Sequence, residues 1–438
     1  MRIICAEANM SDIKKQLNHL RGSTNETSAS TMKQKLDRLY NRTSGNEKFF
    51  VEESVVRSHK RLEELVAGEY INTPAGDIYR ARTTFPRDYQ HGSCVLKDYF
   101  KIDLDHLVKL GKLEEASDLD LDGALFLDTE ASGLSGGTGT YAFMIGVGYF
   151  YQDEFVVDQL FVDSYAKEEG MLDLLREYLD ATSFIVSFNG KSFDLSLLET
   201  RYLMHGQESP FKDFPHLDLL HPSRNLWNLN LENCRLQTLE REIFAFTRTG
   251  DVPGEEVPGI YFEYIRSGDP TRIAGVFEHN VYDIVSLVTV TTMLEQNFRG
   301  EREIPNESGL TMFSRGKIYE RRGEIEQAIH CYRSALEDSL SAHRKNVIHS
   351  KLAMLYKKTA HWNEAVHLWE KQIHQLSLFS LEPYVELAKY YEHQAKDYST
   401  ALNYVQLALG ELPDYRVDDY HKLLHRHERL ERRLDNTS

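Results

Sequence analysis

Between Ala124 and Leu294 the chain changes its apolar rhythm in a fixed order, and that order limits the fold more than any other feature. Ala124–Asp128 is a short apolar run. Tyr141–Tyr151 and Glu154–Val162 are longer runs, rich in β-branched and aromatic residues, so three successive antiparallel strands are expected. In Lys167–Leu179 the apolar positions Met171, Leu174, Leu175 and Leu179 are spaced for a helix. Phe184–Phe188 reads as a buried strand, Phe193–Met204 as a helix, Pro215–Leu220 as a last short strand and Arg272–Leu294 as one long helix. The order βββ-α-β-α-β-α calls for a mixed α/β layer fold.

The 438 residues suggest about three folding units. Residues 1–48 are polar and poor in aromatics, with one short amphipathic pattern (Ile13, Leu17, Leu20) before the Ser/Thr/Asn-rich run Ser23–Met32, and are expected to form a mobile arm. Residues 49–120 are an extension with a helical stretch, Ser54–Leu65, and a hairpin around Pro74-Ala75-Gly76-Asp77. The α/β domain takes residues 121–298. From 305 to 435 the pattern is helical and repeats. Gly316, Tyr319, Ala328, Tyr332 and Ala335 stand at the small and aromatic positions of a tetratricopeptide unit. Ala353, Tyr356, Ala365 and Trp369 repeat these offsets, as do Ala388, Tyr391, Ala401 and Ala408 with one extra residue in the turn. An all-α solenoid with a docking face is expected there.

The formal net charge of −17 argues at first against a partner as acidic as nucleic acid. The excess is local, however: residues 101–298 carry −20, residues 1–100 carry +3, and residues 299–438 balance. With 41% hydrophobic and 27% charged residues the chain is neither wholly disordered, nor collagen-like, nor a membrane bundle. No stretch approaches 18 apolar residues, so no membrane partner is expected. Cys5, Cys94, Cys234 and Cys331 lie far apart without a CxxC pair, which fits reduced thiols and a cytoplasmic location. The apolar run at Met1 ends at Glu7, too short for a signal peptide.

Three places carry acids in positions that suit chemistry. Asp128 and Glu130, two apart at the end of a strand, point to the same face, and two such acids repel unless a divalent cation neutralises them. Asp194 sits where a buried strand turns into a helix, at the crevice of an open sheet; alone it also reads as a helix N-terminal acid. His279 and Asp283, four apart on the long helix, share a face beside Ile284, Leu287 and Val288. Gathered at one sheet edge, the four carboxylates can hold two Mg²⁺ or Mn²⁺ ions about 4 Å apart, with His279 to accept a proton from water. That chemistry suits phosphodiester hydrolysis. Asp218 is a candidate supporting acid, or else a capping or surface one, and Lys191 is expected to be solvated, with a phosphate contact as the alternative. Phe188 and Phe193 are expected in the core, with the alternative that an aromatic beside the crevice wedges between terminal bases. The glycines at 133, 136, 137 and 139 make a turn rather than a phosphate loop, since no Lys-Ser/Thr follows.

The element order resembles the ribonuclease H-like fold. Asp128-Thr129-Glu130, Asn189 with Phe193-Asp194, and His279 with Asp283 resemble the three exonuclease motifs of the DEDD 3′→5′ exonuclease superfamily. The stretches Phe126–Phe143 and Cys234–Glu240 are similar to the bacterial YprB-type proteins, a ribonuclease H-like domain often followed by helical repeats. The likeness covers residues 50–298 and, more loosely, the repeats. It implies metal ligands at Asp128, Glu130, Asp194 and Asp283, and His279 as general base. In that superfamily a histidine base usually stands five residues before the last Asp and a tyrosine four; His279 has the histidine's identity at the tyrosine's spacing.

The expected function is therefore a metal-dependent 3′→5′ exonuclease acting on DNA or RNA with a free 3′ end, its repeats docking a protein partner or the substrate. Two alternatives use the same residues: an inactive adaptor on a nuclease fold, which the −20 of the middle segment favours, and a structure-selective endonuclease.

Overall fold

The structure, a computed structural model, describes residues 60–436 apart from 112, 114–118, 134–138, 213, 300–307, 376–378 and 414. The polar arm, Cys5, most of the helical stretch before Leu65 and the centre of the glycine turn lie outside the described residues; of that stretch, Leu62–Glu64 is a 3₁₀ turn. Strands β1 (Gly68–Thr73) and β2 (Gly76–Pro86) form the hairpin, and β3 (Gln90–His91) pairs only with β4 (Cys94–Val95). Next come β5 (Ala124–Ala131), β6 (Ala142–Tyr151), β7 (Glu154–Phe161), β8 (Phe184–Ser187) and β9 (His216–Asp218). The main sheet runs β1-β2-β7-β6-β5-β8-β9. Strands β5, β6 and β7 are antiparallel neighbours, whereas β8 and β9 join parallel to β5. This is the ribonuclease H-like order. It is widened by the hairpin, because β2 pairs with β7 from Tyr79–Phe161 to Pro86–Glu154.

The helices are α1 (Leu104–Gly111), α2 (Glu168–Leu179), α3 (Asp194–Met204), α4 (Leu220–Trp227), α5 (Leu236–Ile243), α6 (Val257–Ser267) and α7 (Ile273–Arg299). The strand period divides β5 between two cores. Leu125 and Leu127 pack with Leu175 of α2, Leu198 of α3 and Tyr261 of α6. Ala124 and Phe126 pack on the other face with Ile284 and Val288 of α7 and Trp227 of α4. Asp128 and Glu130 therefore continue the α7 face, and Thr129 the opposite one. A register shift after Glu130 ends the ladder with β6, the kind of irregularity that re-aims side chains at a sheet edge.

Two glycines of β6 let α7 lie close to the sheet. A Cβ at Gly146 would stand 2.2 Å from Asn280 Oδ1, and one at Gly148 would stand 2.4 Å from Ile284 Cγ2. Gly146 is the residue paired with Asp128, so one of these close approaches lies beside the acids.

After α7 the described chain is helical: α8 (Gly309–Arg322) with α9 (Ile325–Leu336), α10 (Ala342–Lys358) with α11 (Trp362–Gln375), α12 (Leu381–His393) with α13 (Tyr398–Glu411), then α14 (Val417–Asp435). The small anchors are buried, Ala328, Ala353, Ala365, Ala388, Ala401 and Ala408 completely so. A Cβ at Gly316 would meet the Tyr332 ring at 2.5 Å, which is why that position is the smallest of its set. Ser308 and Ser341 cap α8 and α10 by accepting from Thr311 and Arg344 N–H groups. The pairs do not hang free. Arg315 Nη2 donates to Asn297 Oδ1 at 3.1 Å, Tyr319 donates its hydroxyl to the Phe298 carbonyl, and Ile318 enters the α7 core. Among the described residues Cys94, Cys234 and Cys331 are buried and form no disulfide. Among the described residues no helix is long and apolar enough to cross a membrane.

Candidate metal centre

The four carboxylates reach one place from three elements, β5, α3 and α7. Glu130, His279 and Asp283 each offer a ligand atom, all within 4.8 Å of one another. Asp128 and Asp194 flank this group closely enough for their charges to be felt by it. Asp194 begins α3 and turns back toward β5, where its Oδ1 accepts from Thr129 N (3.0 Å) and Thr129 Oγ1 (2.6 Å). Asp128 accepts from Asn280 Nδ2 at 2.8 Å, and Asn280 is itself held by Gln159 at 2.9 Å. Strand β5 is thus tied to α3 through Thr129 and to α7 through Asn280.

Burial, with Asp283, Asp194 and Glu130 nearby, pushes the Asp128 carboxyl well above its ordinary range; only the Asn280 amide opposes it. Glu130 is driven up by burial, then by Asp283 and Asp194, against the pull of Arg248. Asp194 is raised to about 6, by burial foremost, despite the Thr129 hydrogen bonds. Such a set is short of positive charge. The donors are oxygens with one imidazole nitrogen, and each bonded carboxylate keeps a second oxygen. The residues therefore fit a divalent cation such as Mg²⁺ or Mn²⁺.

Reading the sequence missed the groups that steady this cluster. Arg248, in the connection after α5, is almost fully buried and donates from Nη2 to Asp283 Oδ1 and Glu240 Oε1, both at 2.5 Å. Glu240 also accepts from Ser286 Oγ at 2.6 Å, so α5 is latched to α7. Asp251 Oδ1 lies 2.7 Å from His279 Nδ1, while His279 Nε2 stands 3.3 Å from Asp283 Oδ2. With the proton on Nδ1 bonded to Asp251, the Nε2 lone pair faces the acids. The chain has no local signal for Arg248 or Asp251, which lie in irregular backbone. Glu240 falls inside a stretch whose family likeness was visible without a role.

Asp218 is neither surface nor ligand. Its carboxylate accepts from Asn189 N (2.8 Å), Lys191 N (3.2 Å) and Leu220 N (3.0 Å), fixing the turn that delivers Asp194. Asn189 in that turn has φ 67°, a conformation asparagine tolerates better than most residues. Lys191 is exposed. Phe193 departs from expectation: it is 56% exposed rather than core, because it stands before the first turn of α3, whose Asp194 and Leu195 are the residues that turn inward. It lines a cleft of about 290 Å³ with Glu130, Asp194, Thr140 and Gly254. A larger cavity, about 740 Å³, contains none of these acids. Its arginines are already matched, Arg82 by Asp158 and Arg80 by Glu69, so the smaller cleft is the chemical one.

A model of the RNase_H superfamily matches residues 125–295, which contain all five site residues. A family B DNA polymerase from Pyrobaculum calidifontis is a structural neighbour at TM-score 0.32 and 17% identity, over 45% of this chain and 29% of that one, so the chain spans less than a third of the polymerase. The protein YprB of Bacillus subtilis (strain 168) is 30% identical over 355 residues, 80% of this chain and 85% of its own length. On that extent of identity, and with a ribonuclease H superfamily domain, a nuclease fold, at its centre, the chain belongs to the YprB family.

Proposed function

We propose that the protein is a divalent-metal-dependent 3′→5′ exonuclease that hydrolyses terminal phosphodiesters of DNA or RNA. The observation that carries this reading is the convergence of Glu130, His279 and Asp283 within 4.8 Å, with Asp128 and Asp194 beside them. Glu130, His279 and Asp283 would hold one ion, and Asp128, Asp194 and a shared Glu130 a second. Bound there, the cations supply Lewis acidity that lowers the pKa of an attacking water and stabilises the leaving 3′ oxygen.

The chain's own groups do the rest. Asn280 and Thr129 orient the Asp128 and Asp194 carboxylates. Arg248 keeps one Asp283 oxygen occupied and the other turned toward His279. The cleft beside Phe193 admits one terminal nucleotide, whose base can lie on the exposed ring. Asp251 holds His279 so that Nε2 can take a proton, the role of a general base. His279 Nε2 also lies among the ligand atoms, which favours a second role as ligand. His279→Gln separates the two: a base lost lowers turnover at unchanged Mn²⁺ affinity, and a ligand lost weakens Mn²⁺ binding.

The deciding experiment is a time course on 3′- and 5′-labelled DNA and RNA oligonucleotides, with and without Mn²⁺, beside Asp128→Ala. The expected result is Mn²⁺-dependent release of nucleotides from the 3′ end, abolished in the variant. Cleavage inside a circular single strand would replace the exonuclease by an endonuclease. No calorimetric Mn²⁺ binding at micromolar to millimolar levels would leave the adaptor.

A further inference from the structure

The cations of the helical segment are divided unevenly among its pairs. Helix α10 carries Arg344, Lys345, Lys351, Lys357 and Lys358 without a single carboxylate. Residues 309–358 together carry +5 in a chain whose total is −17. Arg344, Lys351 and Lys358 stand seven residues apart, about 10 Å of helix, and so form one stripe. On α8, Lys317 and Arg321 are four apart and form another.

The two stripes meet. Lys317 lies within electrostatic reach of Arg321, Lys351 and Arg344, and burial together with these like charges holds its pKa below the ordinary value. An aromatic pair supports them from beneath: Lys317 Nζ is 4.9 Å from the Phe313 ring centre, Lys351 Nζ is 6.0 Å from that of Tyr332, and the rings are 5.8 Å apart. Among the described residues Lys317, Arg321 and Arg344 have no ion pair, and Lys351 has one, to Glu320 at 2.8 Å.

The next pairs are built the opposite way. Lys357 and Lys389 both bond Glu386, and Arg426 and Arg429 both bond Glu392 at 2.7 Å. Those four cations, Lys357 of α10 among them, are neutralised within the fold. Lys317 and Arg321 of α8 and Arg344 of α10 have no such carboxylate among the described residues, and their spread over two helices suits a repeating anion better than a single one. The face is also fixed in place, since α8 is bonded to Asn297 and Phe298 of the same helix that carries His279 and Asp283.

We propose that Lys317, Arg321, Arg344 and Lys351 form a phosphate-binding face that holds a nucleic-acid strand, whose 3′ end reaches the acid cluster. The last clause rests on the nuclease reading; the strand-binding face does not.

The test measures fluorescence anisotropy of labelled single-stranded DNA and RNA with the full chain in EDTA, where no hydrolysis occurs. The triple variant Lys317→Gln/Arg344→Gln/Lys351→Gln is expected to bind at least about tenfold more weakly, with the slope of log affinity against log salt reduced by about 2, three contacts at about 0.7 each. Lys389→Gln should bind as the parent does. Should the triple variant fail to fold, Arg321→Gln alone decides, with a loss of about twofold to threefold and a slope smaller by about 0.7. Undiminished binding in the deciding variant overturns the proposal, as does a parent that binds polyglutamate but no nucleic acid, which would mark the face as a dock for an acidic protein. Mn²⁺-dependent hydrolysis of a dinucleotide, which carries no run of phosphates for the face to hold, should be equal in parent and variant. If the parent hydrolyses nothing yet strand binding falls in the variant, the nuclease reading fails and the binding face stands. If hydrolysis is present and strand binding is unchanged, only the face is lost.

Discussion

The acid cluster and the basic helical face both gather like charges without enough of the opposite sign, yet they are built differently. The acids come from β5, α3 and α7, with Glu130 and Asp194 buried and Asp128 and Asp283 half-buried, and are held by Thr129, Asn280 and Arg248. Water does not reach them well, so Asp128 and Glu130 respond by favouring their protonated forms. The cations lie on two neighbouring helices and keep contact with solvent, which screens their repulsion. A deep, rigid cluster suits a point charge of small radius. A shallow, spread one suits a long polymer.

The largest effect that would break this comparison is expected at Asp128. Asp128→Asn should lower Mn²⁺-dependent hydrolysis by about 10²–10³-fold or more while raising the thermal midpoint in EDTA, because one repelling charge is gone. A lower midpoint would mean the acids are not strained against each other. Next is Arg248→Met, which leaves Glu240 and Asp283 without their cation. Breaking a buried pair from one side costs roughly 3–5 kcal/mol, to be read by denaturant unfolding in EDTA, and Mn²⁺ should restore part of it.

A smaller effect is expected with pH. Asp194, raised to about 6, holds its proton in the folded chain where the unfolded one has lost it. That contribution to stability is therefore present below about pH 4 and is lost as pH rises toward 6. Asp128 and Glu130, also raised, extend the loss upward. The metal-free midpoint should fall as pH rises from about 4 through 6, and the stabilisation by Mn²⁺ should grow over the same interval, since the metal requires the ionised acids. A flat profile in EDTA would contradict the burial of these groups. Smallest of all, Lys389→Gln, already paired with Glu386 at a half-exposed site, should change stability by under about 1 kcal/mol.

The parts of the site that carry a local signature were legible beforehand. Asp128 and Glu130 end an apolar strand, Asp194 opens a helix after a buried one, and His279 and Asp283 share a helical face, so each announces itself within a few residues. Arg248 and Asp251 do not, because they sit in irregular backbone and gain meaning only from partners 28 to 35 residues away in α7. The same holds for the hairpin: its two strands were readable, but its place beside β7 depends on pairing Tyr79 with Phe161, which no local pattern encodes. Phe193 was misplaced because apolar character was read as burial, although a helix start at a sheet edge can leave such a ring in solvent.

The gap between β6 and α7 gives the acid cluster its bite, and two missing side chains set it. Gly146 and Gly148 bear no functional group, but a single methyl at either would act as a shim, lifting His279, Asn280 and Asp283 together away from Asp128 and Glu130. At Gly146 the clash falls on the Asn280 amide, which Gln159 and Asp128 already hold in place. The aperture of the centre is thus written in a strand that carries none of its acids.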